Sequence, residues 1–437
     1  MVVRGSLVCL LVCLGWPVGS PHFARANGAF PESLQILLPA DRPQQIVLAT
    51  NFGLIISDDG GATWTWTCEQ RETFYGNLYA VGPSPQNRFY GLSPMKGLAF
   101  SDDDSCSWRL GGGALALATA KDFFPDPTDS ARVLVIGSLP AGGTTIDQVF
   151  VSHDGGGTFG GAPIYTAPAE GALIGVETAR ADPGVIYLSL YVTTSTTPTI
   201  HPKLVRSADG GITWTTLDVE PMLGPHKFRI IAVDPVSVDT IYLRVEEATS
   251  ESVAVSRDGG RTFAKPITVD FGIITSFVRL ASGTVLVGAI AGPAGLGFRS
   301  TDGGASFREW AGAPHVRALA ERDGLLYVAA TNYTDRWAIG VSTDEGMTIQ
   351  PMATYDQVSR IRPCAQAACE VNCGTQAVAE IWPPEVCRPD RPDGGTPLLP
   401  PTENGGCGCR ADAGSSALPL ALLVVAGLLG AKRARRR

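Results

Sequence analysis

Two sets of side chains in this 437-residue sequence could do chemistry: the carboxylates Glu177, Glu246, Glu247 and Asp335, and the arginines Arg229, Arg279 and Arg317. Glycoside hydrolysis needs two carboxylates roughly 5–10 Å apart across a cleft, one protonating the leaving oxygen and one acting as base or nucleophile. Nothing in the spacing of the four acids sets such a distance, and a solvated loop acid is the plainer expectation for each. The three arginines fall on or beside the first apolar segment of successive repeats, with Lys121 and Glu177 similarly placed earlier, so they could converge on an anion. Local pairing of each charge is again the plainer expectation. The five histidines show no metal-ligand spacing, and there is neither a nucleophile elbow nor a phosphate loop. No catalytic residue, metal or cofactor is therefore expected.

The elements that must position these groups are set by a repeated octet. It reads SDDGGATW at 57–64, SDDDSCSW at 101–108, SHDGGGTF at 152–159, SADGGITW at 207–214, SRDGGRTF at 256–263, STDGGASF at 300–307 and STDEGMTI at 342–349. The steps between first serines are 44, 51, 55, 49, 44 and 42 residues, the length of one four-stranded propeller blade. In each octet the Ser and Asp oxygens can accept backbone N–H groups, Gly supplies positive φ and the aromatic packs beneath. The aspartates Asp59, Asp103, Asp154, Asp209, Asp258, Asp302 and Asp344 are thus scaffold residues. Ser105 in the second octet and Ile349 in the seventh break the pattern, so those two turns are expected to be looser. Apolar segments at 34–38, 45–50, 53–56 and 63–67 predict four strands in the first unit, and the second repeats the phase at 78–81, 88–92, 97–100 and 108–110. Asp126-Pro127, Asp182-Pro183 and Asp234-Pro235 mark turns between first and second strands. Insertions at 140–147, 193–202 and 291–297 are expected to project as loops. The fold class is all-β, a seven-bladed propeller over 27–356; how its ring closes is not legible here.

The octet resembles the Asp-box, or bacterial neuraminidase repeat, of sialidases, sortilin-type receptors, photosystem assembly factors and xyloglucan-active hydrolases. In those families the box is a peripheral turn, so the resemblance implies fold and not activity. The sialidase Arg-Ile-Pro signature is matched only in part by Phe228-Arg229-Ile230, in the fifth unit and without the proline. Sialidase activity is not expected.

Residues 1–26 combine Arg4, an apolar run and Ala24-Arg25-Ala26, the pattern of a secretory signal peptide. Cys364, Cys369, Cys373 and Cys387 in the segment 357–389 predict two disulfides of undetermined pairing, with a four-thiolate zinc site as the minor alternative. Cys68 and Cys106, in neighbouring blades, are expected to bridge each other. A Pro- and Gly-rich linker at 390–414 carries Gly406-Cys407-Gly408-Cys409, and 415–437 holds an apolar run followed by a Lys-Arg cluster. This end resembles the MYXO-CTERM sorting signal of myxobacterial surface proteins. That resemblance implies a membrane helix before processing, a sorting protease acting near Cys407 or Cys409, and surface display. A plain membrane anchor with Cys407 and Cys409 bridged is the alternative. Without the leader and the basic tail the net charge is about −15, unfavourable for nucleic acid.

These features describe an exported, surface-held, non-enzymatic binding or interaction module whose partner is a glycan or an envelope protein. The alternative is a hydrolase of extracellular polysaccharide, and a third reading is an assembly factor for other envelope proteins.

Overall fold

A computed structural model describes residues 31–69, 78–93, 97–194 and 197–388. The expected leader (1–26), the linker with Cys407 and Cys409, and the apolar tail lie outside the described residues. Among the described residues no helix is long and apolar enough to cross a membrane.

The chain folds as a seven-bladed β-propeller. Blade 1 is the meander Ser33–Leu37, Ile46–Thr50, Gly53–Ser57 and Trp64–Thr67, and blade 7 is Val316–Arg322, Leu325–Ala330, Ile339–Ser342 and Gln350–Ala353. The first strands of blades 2 to 6 are Leu78–Val81, Thr119–Pro125, Gly171–Thr178, Lys227–Val233 and Ile273–Arg279. Second strands such as Ile46–Thr50 and Val285–Ala291 read as nearly unbroken apolar runs because a neighbouring blade covers each face. The core is accordingly a ring of interfaces. Leu37, Val47, Leu54 and Ile56 of blade 1 pack on Tyr79, Phe89 and Trp108 of blade 2, and comparable clusters follow around the ring.

Each repeated octet forms the turn between third and fourth strands with one hydrogen-bond set. In the fourth, the Ser207 hydroxyl donates to Asp209 Oδ1 (2.8 Å) and accepts from Gly211 N (2.9 Å), while Thr213 N and its hydroxyl donate to the two Asp209 oxygens at 2.8 and 2.6 Å. These bonds, the Thr213 hydroxyl foremost, hold the Asp209 carboxyl down at about 2. The second and seventh turns, expected to be looser, are not. Ser105 takes φ 69° and still donates its N–H to Ser101 Oγ at 2.9 Å, and its own hydroxyl accepts from Trp108 Nε1 at 3.0 Å. At the seventh turn Trp310 of the preceding blade replaces the missing aromatic, donating its indole N–H to the Gly346 carbonyl at 2.7 Å. The insertions expected as loops are instead hairpins that prolong second and third strands: Pro140 pairs with Thr145, Val192 with His201, and Ala291 with Ala294.

The ring closes without exchanging a strand between meanders. Past blade 7, Val358–Ile361 adds to the outer edge of blade 1 as a fifth strand, parallel to Trp64–Thr67, with Val358 opposite Trp64 and Ile361 opposite Trp66. Arg322 of blade 7 donates to the carbonyls of Pro39, Arg42, Pro43 and Gln45 in blade 1. The Cys-rich segment packs on that edge through the helix Gln366–Val378, and its buried Trp382 lies against Trp66 and Phe52. The disulfides are Cys68–Cys369, Cys106–Cys364 and Cys373–Cys387. This corrects the expected Cys68–Cys106 bridge and the expectation that the segment's four cysteines pair among themselves. The fifth strand delivers Cys364 and Cys369 to the rim of blades 1 and 2, so each propeller cysteine meets a partner from the far end of the fold.

Candidate functional site

The two faces of the propeller differ. One carries the repeated turns and the Asp-Pro turns, whose side chains are occupied in their own hydrogen bonds; Asp126, for example, accepts from Thr128 N, Asp129 N and Arg132. The other carries the prolonged hairpins and the connections that enter each first strand. There a cavity of about 300 Å³ opens into the channel between blades 5, 6, 7 and 1. Its wall is built by β-bulges near the start of the first strands, at Ser33/Gln35, Ile274/Ser276 and Val316/Ala318. A bulge leaves one residue unpaired and re-aims its side chain, which places Leu34, Thr275 and Arg317 on the cavity lining.

Arg317 is the one residue of the expected arginine trio that lines this cavity, where it pairs with Glu32. Arg229 bonds the Ile174 carbonyl at 2.8 Å and pairs with Glu246 at 3.6 Å. Arg279 lies at the opposite end of its strand, paired at 2.5 Å with Asp234 in an Asp-Pro turn. The three therefore do not converge on an anion. Arg244, on the second strand of blade 5, joins Arg317 instead. It donates to the Ile274 carbonyl (3.2 Å) and to Glu246 (3.1 Å), and it faces Glu251 at 3.8 Å. Nothing in the local sequence marks Arg244, because only the curvature of the ring turns its end of the blade toward the channel.

The four candidate acids sit in different surroundings. Glu246 is held by Arg229 and Arg244. Glu247 accepts from Lys265, Ser250 and Ser252 at 2.8, 2.8 and 3.0 Å, which together outweigh its partial burial and lower its pKa. Asp335 bonds His315 Nδ1 at 3.0 Å. Glu177 stands in the channel wall near Asp122, on the first strand of the preceding blade. Burial raises the Asp122 carboxyl to about 6 despite a 2.9 Å bond from Val176 N, and burial plus the Asp122 charge push Glu177 well above the usual carboxylate range. Asp122 was hidden in the sequence beside Lys121, which instead turns to Asp147 at 2.6 Å.

His315 joins blades 6 and 7 on the cavity face. Its Nδ1 meets Asp335 and its Nε2 meets the carbonyl of Pro293, at the tip of the blade 6 hairpin, each at 3.0 Å. Burial opposes a charge on this ring, but two acceptors on opposite nitrogens favour the imidazolium, and its pKa is raised. A raised folded pKa gives stability that is complete below the ordinary histidine value and is lost as pH rises through the folded one. The thermal midpoint is therefore expected to fall as pH rises above the ordinary histidine value. In His315→Gln that step should disappear; a step of unchanged size would assign it to another group.

No family model matches the chain, and no curated protein matches it. Its fold is similar to solved propeller structures at low identity. The extracellular domain assigned to a one-component system of B. thetaiotaomicron is 10% identical with a TM-score of 0.50, over 74% of this chain and 42% of that one. A GH74 enzyme of Niastella koreensis is 13% identical with a TM-score of 0.42, over 73% and 65%. YCF48 from Cyanidioschyzon merolae is 13% identical with a TM-score of 0.46, over 68% and 92%. This chain spans less than two thirds of the first two. These likenesses concern the fold alone.

Proposed function

We propose that this protein is an exported propeller, held at the cell surface by its C-terminal sorting signal, that acts as a non-enzymatic binding module through the face carrying the prolonged hairpins. The repeated turns belong, in this reading, to the Asp-box class and serve as scaffold. The observation that carries the non-enzymatic reading is the engagement of Glu246, Glu247 and Asp335, each held by a cationic or imidazole partner on its own or the adjoining blade. Such acids are poor proton donors or nucleophiles across an open cleft. The test is reducing-sugar release by the purified protein from a panel of polysaccharides, with retention on the same immobilised polysaccharides read in parallel. Retention without release supports the module; release that persists through purification sinks it.

One observation favours the hydrolase alternative: Asp122 and Glu177 are neighbouring channel carboxyls with raised pKa values, and a carboxyl near 6 suits a general acid. The two readings part at Asp122→Asn/Glu177→Gln. A hydrolase loses its activity in that variant. If the pair is structural, two carboxyls with raised pKa values are neutralised and the thermal midpoint at neutral pH rises. The sign follows because acids with raised folded pKa values stabilise the fold only while protonated, and that contribution is lost for Asp122 between about 4 and about 6.

A further inference from the structure

We infer that His315 is a pH-operated latch between blades 6 and 7: the protonated ring holds the tip of the blade 6 hairpin to blade 7, and loss of one proton lets the tip go. As a control on the face assigned to binding, the latch rests on the reading above; as a conformational device it does not.

The tip is the two-residue turn Gly292-Pro293 between the strands Val285–Ala291 and Ala294–Ser300, with Gly292 at φ 77°. Ala291 and Ala294 are the last pair of the ladder, so the Pro293 carbonyl takes its donor from outside the hairpin. That donor is His315 Nε2 at 3.0 Å, while Nδ1 of the same ring donates to Asp335 Oδ1 at 3.0 Å. Both partners can only accept, one being a carbonyl and the other a carboxylate. A neutral imidazole carries a single N–H, so in either tautomer one of its nitrogens would aim a lone pair at an acceptor. Two acceptors on opposite nitrogens therefore select the imidazolium.

When the proton leaves to water, the remaining N–H stays with the better acceptor. Asp335 is charged, and it already receives the N–H groups of Thr331 at 3.1 Å and of His315 at 3.3 Å. The Nε2 lone pair then faces the Pro293 oxygen, and the bond to the hairpin is lost. The side chain of His315 is 15% exposed, which gives the proton access to solvent. No competing ionisable group stands on the hairpin turn 291–294 or on the connection 312–314. Tyr333 and Arg336 flank Asp335 without bonding the ring, and Arg317, two residues along the strand, is paired with Glu32.

The released part is small. A Cβ at Gly295 would lie 2.4 Å from the Pro314 carbonyl oxygen and one at Gly297 2.9 Å from Ala313 Cβ, so the body of the hairpin is packed tightly on the entry to blade 7 and only its tip is free to move. The latch nevertheless sits where it matters for the cavity. Thr275 and Arg317 line it from blades 6 and 7, and Thr275 Oγ1 donates to the carbonyl of Val316, the residue after His315.

The test follows two signals in the full-length protein as pH is varied: the nitrogen and carbon shifts of the His315 ring, and hydrogen exchange of peptides covering 290–297, corrected for intrinsic exchange. Protection of the hairpin is expected to fall about tenfold as pH rises, the loss of one hydrogen bond, with the midpoint of the ring's own titration. The sign follows because the bond is complete while both nitrogens are protonated and is lost as pH rises through the folded value, which lies above the ordinary histidine one. Asp335→Asn should move both midpoints to lower pH, since it removes the charge that favours the imidazolium. His315→Gln offers one donor nitrogen in place of two and should show the high-pH exchange level throughout. Hairpin exchange that ignores the ring's titration in the wild type, a transition that survives in His315→Gln, or a midpoint unmoved in Asp335→Asn would each overturn the latch. Polysaccharide retention enters none of these readouts, so failure of the latch and failure of the binding-module reading are told apart.

Discussion

Replacing Cys68, Cys106, Cys364 and Cys369 together by alanine is expected to lower stability by about 4–8 kcal/mol, the sum of two native bridges at ~2–4 kcal/mol each. The two disulfides close loops with sequence separations of 301 and 258 residues, so they restrict the unfolded chain far more than Cys373–Cys387, with a separation of 14. They also act in the folded ring. Blade 7 meets blade 1 without a shared meander strand, and the seam is held by Arg322, by the Ser33–Tyr355 hydroxyl pair at 2.9 Å and by the added strand Val358–Ile361. The bridges fasten that strand to blades 1 and 2. Guanidinium unfolding under non-oxidising-stress conditions would read the loss, and amide exchange would locate it at Val358–Ile361 and Trp64–Thr67. A midpoint equal to wild type would mean that the strand and its packing hold the seam unaided.

Trp382→Ala is expected to cost about 3–5 kcal/mol, whereas Trp382→Phe should cost less than about 1.5 kcal/mol. Trp382 is 2% exposed, with its ring 4.9 Å from Trp66 and 5.8 Å from Phe52, so alanine leaves a cavity between the Cys-rich segment and blade 1. Both variants remove Trp382 Nε1, which is buried without a hydrogen-bond partner, so the asymmetry between them comes from the ring that phenylalanine keeps. Phenylalanine keeps most of the ring and removes an unsatisfied donor. Denaturant midpoints of the two variants check this; equal losses would show that the indole N–H, and not packing volume, governs the site.

Much of the fold was legible because the decisive interactions are short in sequence. Ser57, Asp59, Gly61 and Thr63 complete a turn within themselves, and the first-unit strands at 34–38, 45–50, 53–56 and 63–67 needed only local apolar runs and turns to be found. The second and seventh turns were misjudged for the opposite reason. Ser105 is supported by Thr67 from blade 1 at 2.8 Å, and Gly346 by Trp310 from blade 6. Those contacts cross a blade boundary.

The candidate site was less legible still. Arg229, Arg279 and Arg317 have similar places in their repeats, yet Arg279 points to the Asp-Pro face and Arg317 to the cavity face. A strand of seven residues passes from one face of the ring to the other, so a shift of a few positions along it changes faces entirely. Bulges then move the lining by one residue, which selects Thr275 and Arg317.

The amino-acid order by itself determined the number of blades, their strand phase and the chemistry of every repeated turn, because each depends on groups within a few residues of one another. Only the tertiary structure decided which cysteines pair, how blade 7 joins blade 1, and which arginine shares the cavity with Arg317. Each of those depends on where a closed ring brings residues from distant blades together, a distance that no local pattern encodes.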